Sequence, residues 1–258
     1  MLPKIGPVAS YGLLYFIGIT LHFVLGWRIA RRHRLRRRVW LTVSVCYLLG
    51  MIVGAKLLYD VRHGPLDLSL LMQAKHWTGG GLWGGLWGGL LAYFALAVPA
   101  VLLLAADRRA GLDLVAGTIP IPWMAAKLGC FLSGCCHGRP RSLPWAVTFG
   151  PEALTAPPGV PIHPSQLYEV GLMLILLLVF SRLQSGHWRG TKLLWFLLLY
   201  GTGRAATDFL RGDTEGPLYL GLVSLTQLLA LLAAAGALAL LVAHLRKAGR
   251  GVELASGL

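Results

Sequence analysis

The sequence predicts an all-α integral membrane protein of about seven transmembrane helices, with the N-terminus outside and the C-terminus cytoplasmic. Three observations predict it. The 258 residues are 56% hydrophobic and only 13% charged, roughly half the charge of a soluble domain. Apolar stretches of about 20 residues, enough to cross a hydrocarbon core, recur along the chain. The basic residues collect between alternate stretches instead of spreading evenly.

The stretches fall at about 10–27, 39–59, 81–105, 112–132, 164–183, 193–210 and 220–245. Behind the first comes "RIARRHRLRRR" (28–38), with seven arginines. Arg108 and Arg109 follow the third stretch, Arg182, Arg189 and Lys192 the fifth, and Arg246, Lys247 and Arg250 the last. Cytoplasmic loops carry such an excess, which puts these segments inside. An apolar run followed by arginines reverses the order of a secretory signal, so no cleavage is expected. The net charge of +14 is therefore a topology signal, and no nucleic-acid partner is expected. Residues 1–258 read as a single polytopic membrane domain with a short disordered end from about 249. The connections 60–80 and 133–163 fall on the outer side, and their Gly, Pro and Trp content suits interfacial segments.

The remaining basic residues are Lys4, Lys56, Arg62, Lys75, Lys127, Arg139, Arg141, Arg204 and Arg211. Several sit at or inside predicted helix ends, where an ionisable group is costly and marks a functional site. Four motifs surround them. "GGGLWGGLWGGL" (79–90) puts Gly80, Gly84 and Gly88 in one small-xxx-small row and Gly81, Gly85 and Gly89 in the next, which suits close helix packing. A backbone-lined lipid passage beside Trp83 and Trp87 is the alternative. "YGTGRAATDFLRGD" (200–213) places Arg204, Asp208 and Arg211 on one helix face. Two guanidiniums and one carboxylate leave a net positive charge suited to a phosphate held bidentately, the alternative being a structural ion pair. "HPSQLYE" (163–169) opens the fifth helix, with Pro164 in the first turn and Ser165, Gln166, Tyr168 and Glu169 forming a polar cluster at the boundary. A cap plus an aromatic-belt tyrosine would look the same.

"GCFLSGCCHGRP" (129–140) holds Cys130, Cys135, Cys136 and His137. Adjacent Cα atoms lie about 3.8 Å apart, too close for an ordinary Cys135–Cys136 bridge. Cys130 can bridge to either one. Zinc has suitable ligand types, but the neighbouring positions 135–137 are the wrong spacing for usual sites. A cysteine nucleophile needs a base, and His137 is adjacent only in sequence. The preferred reading is a lining of small, close-packed residues, with no metal and no cofactor. Lys127, three residues before Cys130 on the same face, is the better candidate for chemistry.

Taken together, "IGPVASYGLLYFIGI" (5–19), "GGLWGG" (80–85), "AKLGCFLSGCCHGRP" (126–140), "HPSQLYE", "GRAATDFLRGD" (203–213) and "VSLTQLLAL" (223–231) resemble the prolipoprotein diacylglyceryl transferase family. The resemblance covers nearly the whole chain in order. It implies transfer of a diacylglyceryl group from phosphatidylglycerol to the lipobox cysteine of a prolipoprotein signal peptide, forming a thioether as glycerol phosphate leaves. It also implies residence in the bacterial cytoplasmic (inner) membrane, with the active site toward the outer face. A monomer is expected.

By this resemblance Arg204 matches an essential arginine, Asp208 its acidic partner, Tyr11 the tyrosine of the first helix, and Gly138 and Arg139 the end of a signature. Other positions depart from the family pattern. The family's histidine aligns with Gly79, with His76 nearby but out of register. A signature arginine aligns with Lys127, which keeps a cation without the bidentate fork. The first signature asparagine aligns with Cys130 and the glutamate with Cys135. The candidate catalytic residues are Arg204, Lys127 and Asp208. The candidate substrate-binding residues are Tyr11, Cys130, Gly138, Arg139, His163, Gln166, Tyr168, Glu169 and Arg211. Two other readings remain: a paralogous phospholipid-using transferase with another acceptor, and a non-catalytic lipid- or lipoprotein-binding membrane protein.

Overall fold

In a computed structural model of the chain, residues 4–5, 8–63, 86–183, 188–213 and 222–256 are described. His76, Gly79, Lys75, Trp83 and the glycines up to Gly85 lie outside them. The described residues are overwhelmingly helical. The helices are α1 (Ser10–Arg32), α2 (Arg37–Leu49), α3 (Ala55–His63), α4 (Leu86–Leu104), α5 (Arg108–Gly117), α6 (Pro120–Ser133), α7 (Ser165–Arg182), α8 (Lys192–Asp208) and α9 (Leu225–Ser256). A π-helical turn, Gly50–Gly54, joins α2 to α3.

Among the described residues, five helical stretches are long and apolar enough to cross a membrane: Ser10–Arg32, Arg37–Leu58, Arg108–Ser133, Ser165–Arg182 and Leu225–Lys247. Gly88–Leu104 is a shorter apolar helix. Large apolar side chains face outward on several of them, Phe16 at 67% and Leu178 at 69% exposure among them. In water these would be liabilities, whereas a hydrocarbon solvent welcomes them.

Two compact units appear, residues 26–115 and residues 1–25 with 116–258. Within the first, close backbone approach organises the packing. A Cβ on Gly50 would meet the Tyr93 backbone, one on Gly89 the Met51 Cα at 3.0 Å, and one on Gly88 the carbonyl of Gly54. Gly88 and Gly89 therefore do what the small-residue rows predict: they let α4 touch the π-turn. Tyr93 is fully buried, with its hydroxyl donating to the Val115 carbonyl (2.9 Å) and its ring edge-on to Tyr47. Lys56, on α3, pairs with Asp60 at 3.5 Å. Gly88→Leu should force these backbones apart and cost about 3 kcal/mol. A fall in the thermal midpoint of the detergent-solubilised protein checks this, and an unchanged midpoint refutes the packing role.

In both units helix ends are written in the sequence. Asp107 caps α5 through the Ala110 amide (3.0 Å). α6 opens on Pro120 and stops at Gly134, whose φ of 67° is left-handed. The Cys135 amide reaches back to the Cys130 carbonyl (3.0 Å), a Schellman ending. Ser224 and Gln227 form a reciprocal capping box at the start of α9: the Gln227 amide donates to Ser224 Oγ (3.2 Å) and the Ser224 amide to Gln227 Oε1 (2.8 Å). That box starts the helix at Leu225, five residues after the sequence expectation of about 220. At its far end α9 remains helical to Ser256, where disorder from about 249 is expected from sequence. No proline interrupts that stretch.

The segment 134–163 is more structured than an interfacial connection. Its strands β3 (Val147–Thr148) and β4 (Pro161–Ile162) pair antiparallel, with Val147 opposite Ile162. Phe149, Ala156 and Ile162 form a small core against Phe131, Val147, Ala153 and Val160. At the N-terminus β1 (Lys4–Ile5) and β2 (Val8–Ala9) make a second two-stranded ladder.

Candidate active site

The candidate site lies wholly within the unit formed by 1–25 and 116–258, where α6, α7 and α8 bring buried charges together. Glu169, on the first turns of α7, is 1% exposed. Its Oε1 receives Lys127 Nζ at 2.7 Å and Arg211 Nη1 at 3.7 Å. Its Oε2 accepts hydrogen bonds from Trp123 Nε1 (3.1 Å) and Tyr200 Oη (3.2 Å). Both lone-pair faces of the carboxylate are thereby used, as a charge held out of water requires. The donors are ordered in turn by ring packing, Trp123 edge-on to Tyr200 at 5.4 Å and Phe196 stacked on Tyr200 at 5.2 Å.

A second carboxylate faces the arginines. Arg204, 5% exposed, pairs with Asp208 one turn on. Asp208 Oδ2 also accepts from Thr226 Oγ1 (2.9 Å) and Ser224 Oγ (3.3 Å), which ties the end of α8 to the cap of α9. Gln227 Nε2 adds a bond to the Ala205 carbonyl (3.1 Å). Arg211 lies 3.9 Å from Asp208 Oδ1 and is gripped in a fork by Asp213, Nε to Oδ1 at 3.0 Å and Nη2 to Oδ2 at 2.9 Å.

Arg204 and Asp208 do share one face of α8, but α8 ends at Asp208, so Arg211 reaches the same cluster from the turn beyond the helix and not through its period. The net positive charge read from them does not survive. Lys127 joins as a third cation, while Glu169 and Asp213 join as further carboxylates, so the cluster is balanced three against three. The sequence count missed this because Glu169 arrives from another helix and Asp213 lies beyond the end of α8.

The segment 134–140 is clasped against the same elements. Gly138 N donates to the His163 carbonyl (3.1 Å), His163 N to Arg139 O (3.1 Å), Arg139 N to Leu210 O (2.8 Å), and Gly212 N to His137 O (3.1 Å). A Cβ on Gly138 would strike His163, so only glycine fits this crossing. Arg139 is exposed, and its Nε donates to the Arg211 carbonyl (3.0 Å). Ser165 Oγ bonds the Cys136 carbonyl (2.7 Å) and Gln166 Nε2 the Cys135 carbonyl (2.6 Å).

"HPSQLYE" thus divides its labour. Ser165 and Gln166 hold the cysteine loop and Glu169 holds the cations. His163 and Tyr168 form a separate outer group, with His163 Nδ1 3.0 Å from the Tyr168 hydroxyl, which also accepts from Trp145 Nε1 at 2.8 Å. Pro164 stands just before the helix, its carbonyl accepting from the Leu167 amide (2.9 Å). Tyr11 of α1 stacks on Tyr15 at 5.8 Å, and its Cα comes within 3.0 Å of where a Gly129 Cβ would stand.

The cysteines converge through two left-handed residues. Gly134, with φ 67°, and Cys136, with φ 56°, reverse the chain after α6. The sulfurs of Cys130, Cys135 and Cys136 then lie within 4.8 Å of one another. All three are free thiols, as is the buried Cys46. Contact with the Cys130 and Cys135 thiols holds Cys136 well below an ordinary thiol, and the Lys127 and Arg211 charges help against the burial that opposes it. His137 is not part of this triangle; its Nδ1 lies 3.0 Å from the Gly138 carbonyl.

Sequence reasoning missed Trp123, Tyr200, Asp213, Ser224 and Thr226. For Ser224 a signal was present, the capping-box spacing "SLTQ". The others reveal themselves only through tertiary contact.

Comparison with known proteins places the chain in a family. The family model described as prolipoprotein diacylglyceryl transferase matches residues 1–243. The phosphatidylglycerol–prolipoprotein diacylglyceryl transferase of Bordetella parapertussis is 34% identical over 239 residues, covering 86% of this chain and 84% of its own. The enzyme of the same name from Bordetella avium is 32% identical over 268 residues, covering 96% and 95%. That of Clostridium tetani is 27% identical over 221 residues, covering 81% and 83%. With matches of that extent running through the buried charge cluster and the clasped cysteine segment, the chain belongs to the prolipoprotein diacylglyceryl transferase family.

Proposed function

We propose that the chain transfers a diacylglyceryl group from phosphatidylglycerol to the cysteine thiol of a prolipoprotein, at the outer face of a bacterial cytoplasmic membrane. The observation that carries this reading is the buried set of Lys127, Arg204 and Arg211, brought together from α6, α8 and the turn after α8 and facing Glu169, Asp208 and Asp213. Breaking the carbon–oxygen bond beside a phosphate puts negative charge on the leaving oxygens. Fixed cations in a water-poor site stabilise that charge at the transition state.

The roles divide by how each cation is held. Arg211 is gripped by Asp213 and reached by Glu169 and Asp208, which suits a fixed background charge. Lys127 is locked on Glu169. Among the described residues Arg204 pairs with Asp208 alone, so its guanidinium retains donors for a phosphate's oxygens. Asp208, steadied by Ser224 and Thr226, orients it. The partners are phosphatidylglycerol and a prolipoprotein signal peptide, and the chain acts as a monomer in a single membrane domain.

Complementation tests the reading: expression in a bacterium depleted of its own transferase should restore growth and the thioether-lipidated form of a reporter lipoprotein. Failure to rescue despite membrane insertion would overturn it. The orientation has its own check. A membrane-impermeant thiol reagent applied from outside, with modified peptides read by mass spectrometry, should label Thr155→Cys and spare Leu35→Cys. The reverse pattern would invert the topology.

A further inference from the structure

We propose that Cys130, Cys135 and Cys136 form a three-thiolate site for a thiophilic divalent metal ion, whose open fourth position takes the acceptor cysteine thiol. The fourth position rests on the thiol-alkylating reading above; the three-thiolate site stands without it.

The geometry is that of a ligand set. Three sulfurs all within 4.8 Å of one another surround one point, whereas a disulfide employs two and has no use for a third. Metal–thiolate bonds of about 2.3 Å place sulfurs roughly 4 Å apart around a shared ion, so small side-chain rotations complete the triangle. The ligands are also backed. Cys130 rides on α6, and the Cys135 and Cys136 carbonyls are pinned by Gln166 and Ser165 at 2.6 and 2.7 Å. Such outer contacts fix ligand orientation in metal sites.

Access and charge agree with this assignment. Cys130 is buried while Cys135 and Cys136 are partly exposed, which leaves a side for an ion and a fourth ligand to enter. Three thiolates around a divalent ion carry one net negative charge, and Lys127 and Arg211 act on the same cluster as cations. The usual zinc spacing is absent from the sequence because two ligands are adjacent. The left-handed Cys136 is what brings both to one centre.

The site answers a need of the reaction. The acceptor must attack as a thiolate, the form that an alkylation at sulfur requires. Three protein ligands with an open position are the arrangement of catalytic zinc, and coordination deprotonates a thiol outright. The acceptor thiol would bind, releasing its proton to water. Its sulfur then attacks the glyceryl carbon of phosphatidylglycerol. A carbon–sulfur bond forms as the carbon–oxygen bond breaks, and the electron pair departs on glycerol phosphate beside Arg204. The neutral thioether is a poorer ligand than the thiolate and dissociates.

The test uses the full chain, purified in detergent and reduced, then loaded with zinc(II) or cobalt(II) and freed of excess. About one equivalent should remain. Retention should fall at least roughly tenfold in Cys130→Ser, Cys135→Ser and Cys136→Ser, and stay in Cys46→Ser. If a serine variant fails to fold, alkylation of the wild type decides: zinc should protect these three thiols and leave Cys46 unchanged. A cysteine-containing lipobox peptide should alter the cobalt–thiolate absorption, and its serine counterpart should not. No retained zinc in the reduced chain, or equal retention in the triple serine variant, overturns the site. A Cys130–Cys135 or Cys130–Cys136 bridge whose reduction restores no zinc binding overturns it in favour of a redox pair. Zinc retention without a peptide response overturns the fourth-ligand role. Retention with a peptide response in a chain that fails complementation supports the site and counts against lipid transfer.

Discussion

Glu169→Gln should abolish transfer and destabilise the protein by about 3–5 kcal/mol, the range for breaking a buried ion pair on one side. The substitution keeps the shape and removes the charge that Lys127 and Arg211 share. It also replaces one acceptor oxygen with an amide nitrogen, so either the cations or the Trp123 and Tyr200 donors lose their partner. Two buried cations then face no carboxylate at that point, and each must be rehydrated or moved. The measurement is a pair: thermal midpoint in detergent, and lipidation of a reporter peptide. A double variant Lys127→Met/Glu169→Gln should recover part of the stability without recovering activity, because partners in one pair are not additive. A Glu169→Gln protein of unchanged midpoint would show that the four contacts carry no net weight.

The second large effect falls on chemistry alone. Arg204→Lys should reduce turnover by on the order of 10²–10³, as expected for removing a donor that meets developing charge, while the thermal midpoint changes little. Lysine can still pair with Asp208, so the helix end keeps its neutralising partner; it cannot offer a planar fork to a phosphate. Asp208→Asn should be milder in turnover, since it disturbs orientation and leaves the guanidinium in place. If Arg204→Lys loses stability and activity in proportion, the arginine is a structural pair and the phosphate belongs elsewhere.

The helices were legible because crossing a hydrocarbon core demands a long apolar run, which leaves its mark however the chain packs. Arg204 and Asp208 were legible for a related reason: neighbours within one helix follow from its period alone, whereas Arg211 joins them from beyond the end of α8. Their charge balance was not, because Glu169 and Asp213 enter from outside that period. The cysteine loop failed differently. Ligand spacing rules assume ordinary backbone between ligands, and Cys136 takes a left-handed conformation that side chains other than glycine rarely adopt. Nor do spacings show that Ser165 and Gln166 turn back to hold that loop while Glu169, one turn on, serves the cations.

The pairing of Lys127 with Glu169 bears on how the chain enters its membrane. Helices emerge from synthesis in order, so α6 reaches the insertion machinery before α7 exists to meet it. A lone ionised lysine or carboxylate within a membrane helix opposes partitioning into lipid, by about 2.5–3.5 kcal/mol at the helix centre and by less toward its ends. Each helix carries one such charge at 4% and 2% side-chain exposure, and each lacks its counter-ion until the other arrives. The physically cheap route is for α6 to wait beside the translocation channel and leave it together with α7 as a neutral hairpin, the folded segment 134–163 forming on the side where the two helices join. In this protein these paired buried charges are thus also assembly instructions, and a change at either one would be felt first by the biosynthetic machinery and only later by a substrate.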